Sequence, residues 1–409
     1  MAILYGNAVV GQSGGPTAAI NATLSGVIRG VLASKETIPV LYGMKNGVEG
    51  LLGERLVDLT ALFSNEDDLI TLEDTPAAAL GSCRYRLPHC EENAAVFDTM
   101  LSIFKKYDIR YFFYIGGNDS MDAVAKLTEY LKTVDYEMRV IGVPKTIDND
   151  LIGTDHTPGF GSAAKYIATT VGEIVRDCAV YTVKAVTIVE IMGRDAGWLT
   201  ASSALAGLSG EAPDLIYLPE RPFSCEAFLA SIEDAFKKHP NVVVAVSEGL
   251  RFADGEYVGA STQSGVADAF GHKYLAGTGK FLERLVKERL GCKVRSIELN
   301  LPQRCAAHLS SLTDIEESVL TGKSAVMSAI SGVSGHMMVA VREDAPYRIS
   351  ISSSPVSKIA NAVKTVPDAY INGEGNGITE EGLAYLAPLI LGERHPAFLN
   401  GIPKHFIIK

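Results

Sequence analysis

The sequence predicts an α/β fold, and three observations support this prediction. The chain has 409 residues, of which 47% are hydrophobic and 21% are charged. It is therefore long enough for roughly two to three domains with cores of their own. Short β-rich runs alternate with longer stretches of helical character, which is typical of largely parallel sheets. Several runs lead directly into Gly, Asn, Asp or Glu, at the carboxyl ends of strands where such sheets bind ligands.

The strand predictions rest on runs rich in β-branched and aromatic residues. In chain order these runs are NAVVG, IPVLYG, RYFFYIGG, MRVIGVP, VKAVTIVEIMG, NVVVAVSEG, KVRSIELN and GHMMVAVRED. We predict one α/β domain from residues 1–160 plus about 300–350 and a second from 161–299, with the last two runs available to return to the first domain. From Tyr347 onward, over about 351–409, we predict a helical and loop-rich addition.

Composition excludes several classes of function. The formal net charge of −11 argues against binding to nucleic acid or an anionic membrane, because both need clustered Lys and Arg. No apolar run approaches the roughly 18 residues of a membrane helix, and no signal peptide is indicated, so we expect a cytoplasmic protein. The six cysteines and eight histidines show no CxxC or HExxH spacing. A disulfide framework, a zinc site and a histidine-bound metal are therefore not indicated.

The first stretch with candidate chemistry is GQSGG, Gly11 to Gly15. It lies between a predicted strand and a helix predicted to start within PTAAINATLSGVIRG. Glycines at such a turn let backbone amides approach a phosphate, and a helix N-terminus adds partial positive charge. A tight turn without a ligand explains the glycines equally well.

The second stretch follows the strand YFFYIGG and runs through Gly117, Asn118, Asp119 and Ser120 into a helix. Amides, glycines and oxygen donors meet at this strand end, which favours a ligand. The three polar side chains are also the types that cap helix N-termini, so a structural role is an equally good interpretation for any one of them.

The third stretch is PKTIDND, which ends the strand MRVIGV. Residues two apart face the same way in an extended segment, so Thr146, Asp148 and Asp150 are predicted to project together, with the residues between them turned aside. Two carboxylates this close favour a bound cation or a retained proton, and both suit metal-assisted phosphoryl transfer. A capped turn is the alternative, and the preceding Lys145 favours function.

The fourth stretch is VEIMGRDAGWLTA, in which a strand ends at Met192, Gly193 and Arg194. Gly193 permits close approach of the backbone, and the planar guanidinium of Arg194 matches phosphate oxygens. An exposed pair of Arg194 with Asp195 is the alternative interpretation.

Three further charged residues are weaker candidates. Glu248 follows NVVVAVS, and Arg295 and Arg304 flank SIELN and the turn LPQ. Each alone is more often a surface charge. Together they suit the binding of a sugar phosphate.

The ordered set SGGP, LGSCRY, GGNDS, PKTIDND, EIMGRDAGW, SEG and LPQRCA resembles the phosphofructokinase family. The similarity runs from about Val9 to Val341, and TIDND with MGR at this spacing is highly specific. The resemblance implies two Rossmann-like three-layer domains with the active site in the cleft between them. It also implies Mg²⁺-dependent, reversible phosphoryl transfer to the 1-hydroxyl of fructose 6-phosphate in glycolysis and gluconeogenesis, by a homodimer or homotetramer.

The same resemblance implies residue roles. Asp148 matches the base that accepts the sugar hydroxyl proton, and the other catalytic residues are Lys145, Arg194 and Asp119. The residues matched to fructose 6-phosphate are Thr146, Ile147, Asp148, Met192, Gly193, Arg194, Glu248, Arg295 and Arg304. Those matched to the diphosphate are Gly14, Gly15, Arg84, Gly117, Asp119 and Lys145. Those matched to Mg²⁺ are Asn118 and Asp150. The family's counterpart of Arg295 often reaches in from a neighbouring subunit, which is why an oligomer is implied.

Two positions bear on the phosphoryl donor. ATP-dependent members of the family have GGDGS and a Gly before TIDND, whereas this chain has Asp119 and Lys145, the pattern of pyrophosphate-dependent members. A carboxylate placed where the α-phosphate of ATP lies repels it by charge and bulk, and Lys145 neutralises pyrophosphate and the departing phosphate. Asn118 replaces an Asp that organises Mg²⁺ in many members, and Ala185 and Leu301 replace sugar-phosphate contacts, so these interactions depart from the family pattern.

Three alternatives differ in class. An ATP-dependent phosphofructokinase would have to tolerate Asp119. A non-catalytic regulatory subunit of a heteromeric phosphofructokinase is disfavoured by the intact Thr146, Asp148, Asp150 and Arg194. A dinucleotide-binding dehydrogenase fits the fold class but needs a GxGxxG after its first strand, which this chain lacks.

Overall fold

The protein is described by a computed structural model over residues 3–260, 277–359 and 362–409. Its strands are β1 (Asn7–Gln12), β2 (Leu41–Met44), β3 (Leu56–Asp58), β4 (Ile109–Gly116), β5 (Arg139–Pro144), β6 (Ala185–Ile191), β7 (Leu215–Tyr217), β8 (Asn241–Ser247), β9 (Lys293–Glu298), β10 (His336–Asp344), β11 (Tyr347–Pro355), β12 (Phe398–Leu399) and β13 (Ile402–Pro403). Its α-helices are α1 (Ile20–Leu32), α2 (Gly47–Leu52), α3 (Leu59–Leu62), α4 (Glu66–Glu73), α5 (Ala94–Lys106), α6 (Asn118–Leu131), α7 (Phe160–Cys178), α8 (Trp198–Ser202), α9 (Cys225–Ala235), α10 (Thr278–Leu290), α11 (Pro302–Cys305), α12 (Leu312–Ile330) and α13 (Glu380–Leu386). Its 3₁₀ helices are Ser203–Ser209, Ala307–Leu309, Val356–Lys358, Asp368–Tyr370 and Ala387–Ile390.

Two main sheets organise the molecule. The larger has seven strands in the order β11-β10-β5-β4-β1-β2-β3, and the smaller has four in the order β7-β8-β6-β9. Neighbouring strands are parallel except at the two edges of the larger sheet, where β11 and β3 are antiparallel to their neighbours. The α/β fold class predicted from the sequence is confirmed.

The apolar run of β4 shows why the larger sheet forms. Its residues alternate between two cores: Phe112 and Tyr114 pack with α5 and α6, whereas Tyr111, Phe113 and Ile115 pack with α1 and α12. A strand that is buried on both faces needs a continuous apolar sequence rather than an alternating one. The sheet is therefore covered on both sides.

The strands of the smaller sheet follow the same rule. In β6, Val189 and Ile191 pack with α7 and α8, whereas Val186 and Ile188 pack with α9 and α10. The smaller sheet is thus a second three-layer unit with separate cores on its two faces.

Two predictions along the chain were wrong. The run KVRSIELN forms β9, which pairs with β6 in the smaller sheet instead of returning to the larger one. The helix α10 packs on both β6 and β9, as expected for a crossover that adds a neighbouring parallel strand. Residues Tyr347–Pro355 form the strand β11, so the predicted helical and loop-rich addition begins only after Pro355. Here Tyr347, Ile349 and Ile351 are half-buried and alternate with exposed residues, which is a strand pattern. The domain boundaries stay a prediction.

The segment after residue 362 contacts both sheet units. Tyr370 and Tyr385 pack against Trp198 beside the smaller sheet, and Phe406 packs against Phe63 beside the larger one. Within the described ranges, no helix is long and apolar enough to cross a membrane. All six cysteines are free, from the buried Cys83 to the exposed Cys305.

Candidate active site

The carboxyl ends of the two sheets face one cleft with a volume of about 490 Å³. We call the side built on β1, β4 and β5 the first wall. Its lining residues are Ser13, Gly14, Gly15, Pro16, Thr17, Arg84, Gly117, Asn118, Asp119, Ser120, Lys145, Thr146, Ile147, Asp148 and Asp150. We call the side built on β6 and β8 the second wall. Its lining residues are Met192, Arg194, Asp195, Ala196 and Glu248. Arg304 and Val363 complete the lining.

The structure brings nearly all the predicted site residues to this cleft. Gly193 lies just behind the lining, where its N–H donates to Glu248 Oε1 at 3.2 Å. Arg295 is exposed in the middle of β9, and it does not line the cleft of its own chain as the structure describes it. The remaining predicted residues all line the cleft. Their individual roles stay predictions.

The loop after β1 is held in place by hydrogen bonds that its main-chain groups form with Ser82 and Cys83. Gly14 has a φ of 76°, a left-handed conformation that favours glycine. Its carbonyl accepts from Ser82 Oγ at 2.6 Å, and its N–H donates to the carbonyl of Cys83 at 3.1 Å. The helix α1 begins at Ile20, within the stretch in which a helix was predicted, and four residues separate Gly15 from its first turn. Positive charge at this loop comes instead from Lys145, whose Nζ donates to the carbonyl of Gly15 at 2.7 Å.

The loop after β4 leads straight into α6, whose first residue is Asn118. Gly117, which has no side chain, holds the N-cap position. None of the three polar residues that were predicted as possible caps occupies it, so the capping interpretation was wrong. Ser120 Oγ instead donates to Ser13 Oγ at 3.0 Å, which joins the loops after β4 and β1. Asn118 Oδ1 is buried and has no hydrogen-bond partner among the described residues.

The acidic loop after β5 directs two carboxylates into the cleft. Asn149 has a φ of 52° and is fully buried, so the chain turns there and both Asp148 and Asp150 line the cleft. Thr146 Oγ1 accepts from the N–H of Asp148 at 3.1 Å and donates to its Oδ2 at 3.4 Å. The predicted convergence of this hydroxyl with the two carboxylates is confirmed. Ile147 also lines the cleft, whereas it was expected to turn aside.

Burial changes the protonation of this loop. Burial raises the pKa of Asp148, and the positive charge of Lys145 opposes the rise. Burial and the charge of Asp148 together raise the pKa of Asp150 to about 7. Burial lowers the pKa of Lys145 to about 8, against the attraction of both carboxylates. The first wall therefore holds a buried cation beside a pair of carboxylates that resist joint ionisation, and such perturbed groups are typical of functional sites.

The second wall joins the ends of β6 and β8. The N–H of Glu248 donates to the carbonyl of Ile191 at 2.9 Å, so the two strand ends are fixed to each other. A Cβ at Gly249 would lie 2.0 Å from the carbonyl oxygen of Arg194. Only glycine fits there, and this close approach sets the path of the backbone that carries Arg194.

Glu248 is the buried carboxyl of this wall. Burial raises its pKa to about 8; the N–H of Gly193 and the charge of Arg194 oppose the rise, and the charge of Asp148 adds to it. At neutral pH the protonated form of Glu248 is favoured, so it can donate as well as accept hydrogen bonds. A sugar hydroxyl is a suitable partner for such a group.

Two arginines extend the positive charge of the cleft. Arg304, at the end of the short helix α11, reaches the first wall, since a Cβ at Gly15 would lie 3.3 Å from its Nη1. Arg84 lines the same region. Arg304 was predicted on the sugar-phosphate side, and the structure places it also beside the glycine loop.

Several residues of the cleft were missed from the sequence. Ser13 and Ser120 lie inside motifs that were singled out, so their hydroxyls were a usable signal. Val363 lines the cleft, and Lys364 and Tyr385 contact the acidic loop from behind. These three belong to the C-terminal stretch and carry no recognisable motif.

The residues present fit a magnesium ion that arrives with a phosphate ligand. Among the described residues, no three His, Cys, Asp or Glu side chains form a cluster suited to hold a metal by themselves. Mg²⁺ usually keeps several waters and binds one or two carboxylates plus substrate phosphates. The unpartnered oxygen of Asn118 and the carboxylate of Asp150 offer such a partial set of ligands.

Phosphoryl transfer needs positioning and stabilisation of charge more than covalent chemistry from the protein. Glycine loops, a buried lysine and oxygen ligands at one edge of parallel sheets supply those needs, so the fold and cleft define a phosphotransferase. A family model described as Phosphofructokinase matches residues 7–328. The chain belongs to the phosphofructokinase family.

Relatives of similar length show which type of phosphofructokinase this chain is similar to. The chain is 43% identical over 409 residues to a pyrophosphate–fructose 6-phosphate 1-phosphotransferase from Xanthomonas campestris, with 99% of this chain and 96% of the relative covered. It is 41% identical over 404 residues to the protein of the same name from Halomonas elongata, covering 97% and 95% of the two chains. The crystal structure of a pyrophosphate-dependent phosphofructokinase from Marinobacter aquaeolei matches with a TM-score of 0.87 at 38% identity, covering 98% and 95%.

Proposed function

We propose that the protein transfers a phosphoryl group from pyrophosphate to the 1-hydroxyl of fructose 6-phosphate, giving fructose 1,6-bisphosphate and phosphate. The observation that carries the choice of donor is the first wall, where Asp119 and the buried Lys145 line the same cleft. The names of the relatives from Xanthomonas and Halomonas support the same donor and acceptor.

The first wall binds the donor in this proposal. Lys145 is held by the carbonyl of Gly15 and faces the loop after β1, so its ammonium neutralises pyrophosphate and the phosphate that leaves. Arg304 and Arg84 add charge at the same place. Asp119 repels the α-phosphate of ATP, whereas pyrophosphate has no third phosphate to place there.

Asp148 is the proposed general base. The oxygen of the 1-hydroxyl attacks the terminal phosphorus of pyrophosphate, its proton passes to the Asp148 carboxylate, and the bridging P–O bond breaks to release phosphate. The raised pKa of Asp148 makes it a stronger base than an exposed aspartate. Thr146 fixes its orientation through the two hydrogen bonds described above.

The second wall binds the acceptor in this proposal. Glu248, Met192 and Gly193 surround the sugar, and Arg194 stabilises charge on the transferring group. Asn118 and Asp150 would hold Mg²⁺, which supplies charge neutralisation on the phosphate oxygens when bound.

We also propose a cytoplasmic homodimer or homotetramer. Arg295 is exposed on β9 and lies outside the cleft of its own chain, as suits a residue that serves a neighbouring subunit. Its family counterpart often does so.

A donor assay tests this function. Purified protein with Mg²⁺ and fructose 6-phosphate should form fructose 1,6-bisphosphate with pyrophosphate and only poorly with ATP. In the variant Asp119→Gly, the KM for ATP should fall by about 10-fold, because one repulsive charge is removed. A preference for ATP in the wild-type protein would overturn the donor, and an unchanged KM for ATP in the variant would place the barrier to ATP at another residue.

A further inference from the structure

The segment of residues 362–366, which we call the C-terminal strap, packs against the acidic loop. Val363 forms an antiparallel bridge with Leu151, and the N–H of Lys364 donates to the carbonyl of Asp150 at 2.7 Å. The carbonyl of Lys364 accepts from Trp198 Nε1 at 2.8 Å. The strap therefore ties the acidic loop of the first wall to α8, which follows the second wall.

The ammonium of Lys364 is buried and fully engaged. Its Nζ donates to Asn149 Oδ1 at 3.1 Å and to the carbonyls of Thr154 at 3.3 Å and Asp155 at 2.5 Å. It also lies 5.2 Å from the centre of the Trp198 ring, within range of a cation–π contact. Three donors and three acceptors leave the side chain one orientation.

Asn149 is the residue through which Lys364 reaches the carboxylates. It separates Asp148 from Asp150, is fully buried and adopts a left-handed conformation. Its Oδ1 accepts from Lys364, and its Nδ2 donates to Tyr385 Oη at 3.3 Å. Both ends of the amide are thus fixed by residues of the C-terminal stretch. Because Asn149 sets the turn, its orientation determines how the two flanking carboxylates enter the cleft.

We propose that Lys364 is a positioning residue for phosphoryl transfer, acting through Asn149 to hold Asp148 and Asp150 in their reactive orientation. The proposal rests on the function proposed above. Lys364 lies beyond the residues 7–328 that the family model matches, so this support comes from a part of the chain that the model does not describe. Displacing a reacting group by 1 Å is enough to lower the reaction rate by about 100-fold.

The test compares Lys364→Met with the wild-type enzyme in the pyrophosphate assay. We expect kcat to fall by about 10- to 100-fold, with the KM for fructose 6-phosphate close to that of the wild type, because Met192, Gly193 and Glu248 of the second wall keep their proposed contacts with the sugar. Lys364→Arg, which keeps the charge and the donors, should recover part of kcat. Unfolded enzyme would also lower the apparent kcat at an unchanged KM, so kcat is calculated from the folded fraction, which circular dichroism measures at the assay temperature.

A double-mutant cycle tests whether Lys364 acts on the two carboxylates through Asn149. Asn149→Gly removes the amide and tolerates the left-handed backbone. If Lys364 acts through Asn149, the double variant should lose little more kcat than the worse single variant. The matched control is Lys165→Met. Lys165 also donates to a main-chain carbonyl of the C-terminal stretch, that of Gly392. The effect of this control on kcat should be small and should multiply with that of Asn149→Gly.

Each outcome has one meaning. A wild-type enzyme that is inactive with pyrophosphate and fructose 6-phosphate overturns the proposed function. An active wild type with normal kcat in Lys364→Met, or effects that multiply in the double variant, overturns the positioning role alone. If Lys364→Met melts below the assay temperature, Lys364→Gln is measured under the same criteria.

Discussion

Buried charge is balanced differently on the two walls of the cleft. On the first wall, Lys145 lies among the carboxylates of Asp148 and Asp150 and attracts both. On the second wall, Glu248 is buried with a main-chain amide and the charge of Arg194 as its compensation, and its pKa rises to about 8. The first wall therefore sets one buried cation beside two carboxylates that resist joint ionisation, and the second presents a neutral carboxyl.

This difference matches the two substrates that we propose. Pyrophosphate and a hydroxyl that must lose its proton need fixed cations and an ionised base. The neutral hydroxyls of a sugar are satisfied by a protonated carboxyl and main-chain groups. Variants that change one ionisable side chain at a time test whether the two walls differ in this way.

Asp148→Asn is expected to have the largest effect. The amide keeps the shape and the contact with Thr146 but cannot accept the hydroxyl proton, so kcat should fall by about 100- to 10,000-fold. The KM for fructose 6-phosphate should change little. Steady-state kinetics with pyrophosphate measure both constants, and the same substitution at the exposed Asp368 is the control. A kcat near that of the wild type would remove Asp148 as the base.

Lys145→Met should have the next largest effect. It removes the buried cation that attracts both carboxylates of the acidic loop, so kcat should fall by about 100- to 1,000-fold and the KM for pyrophosphate should rise. Lys126→Met is a matched control, because Lys126 is also buried, donates to the carbonyl of Leu87 at 2.9 Å and does not line the cleft. If the two variants lose equal activity, the charge at position 145 has no specific role in the reaction.

Glu248→Gln should have the smallest effect of the three substitutions. It should change the free energy of unfolding and the way in which that free energy depends on pH. The folded pKa of about 8 lies above the ordinary value of 4.5, so folding stability is lost as pH rises between these values and stays low above pH 8. The amide has no such loss. Relative to the wild type, the free energy of unfolding of the variant should gain about 1–3 kcal/mol at pH 9 and less at pH 5.5. Urea denaturation at both pH values measures this, and a gain that is equal at the two would contradict the buried neutral Glu248.

Much of the first wall could be predicted from local sequence. Each of the strands β1, β4 and β5 ends in a short polar stretch, and parallel neighbours deliver their carboxyl ends to one edge of a sheet. The period of two in PKTIDND was enough to predict that Thr146, Asp148 and Asp150 meet. It failed for Ile147, because the chain bends at Ile147 and Asp148 and does not follow a regular extended path there.

The sequence by itself determined the α/β class, the strand-end motifs and the residues of the acidic loop, since all of these are expressed in patterns of a few neighbouring residues. The tertiary structure alone decided that β9 joins the smaller sheet, that Arg295 lies outside its own cleft and that Lys364 supports Asn149. Lys364 and Asn149 are 215 residues apart in the chain, yet Lys364 Nζ lies 3.1 Å from Asn149 Oδ1. A contact of that kind leaves no local pattern, because it forms only after both sheet units and the C-terminal stretch have packed together.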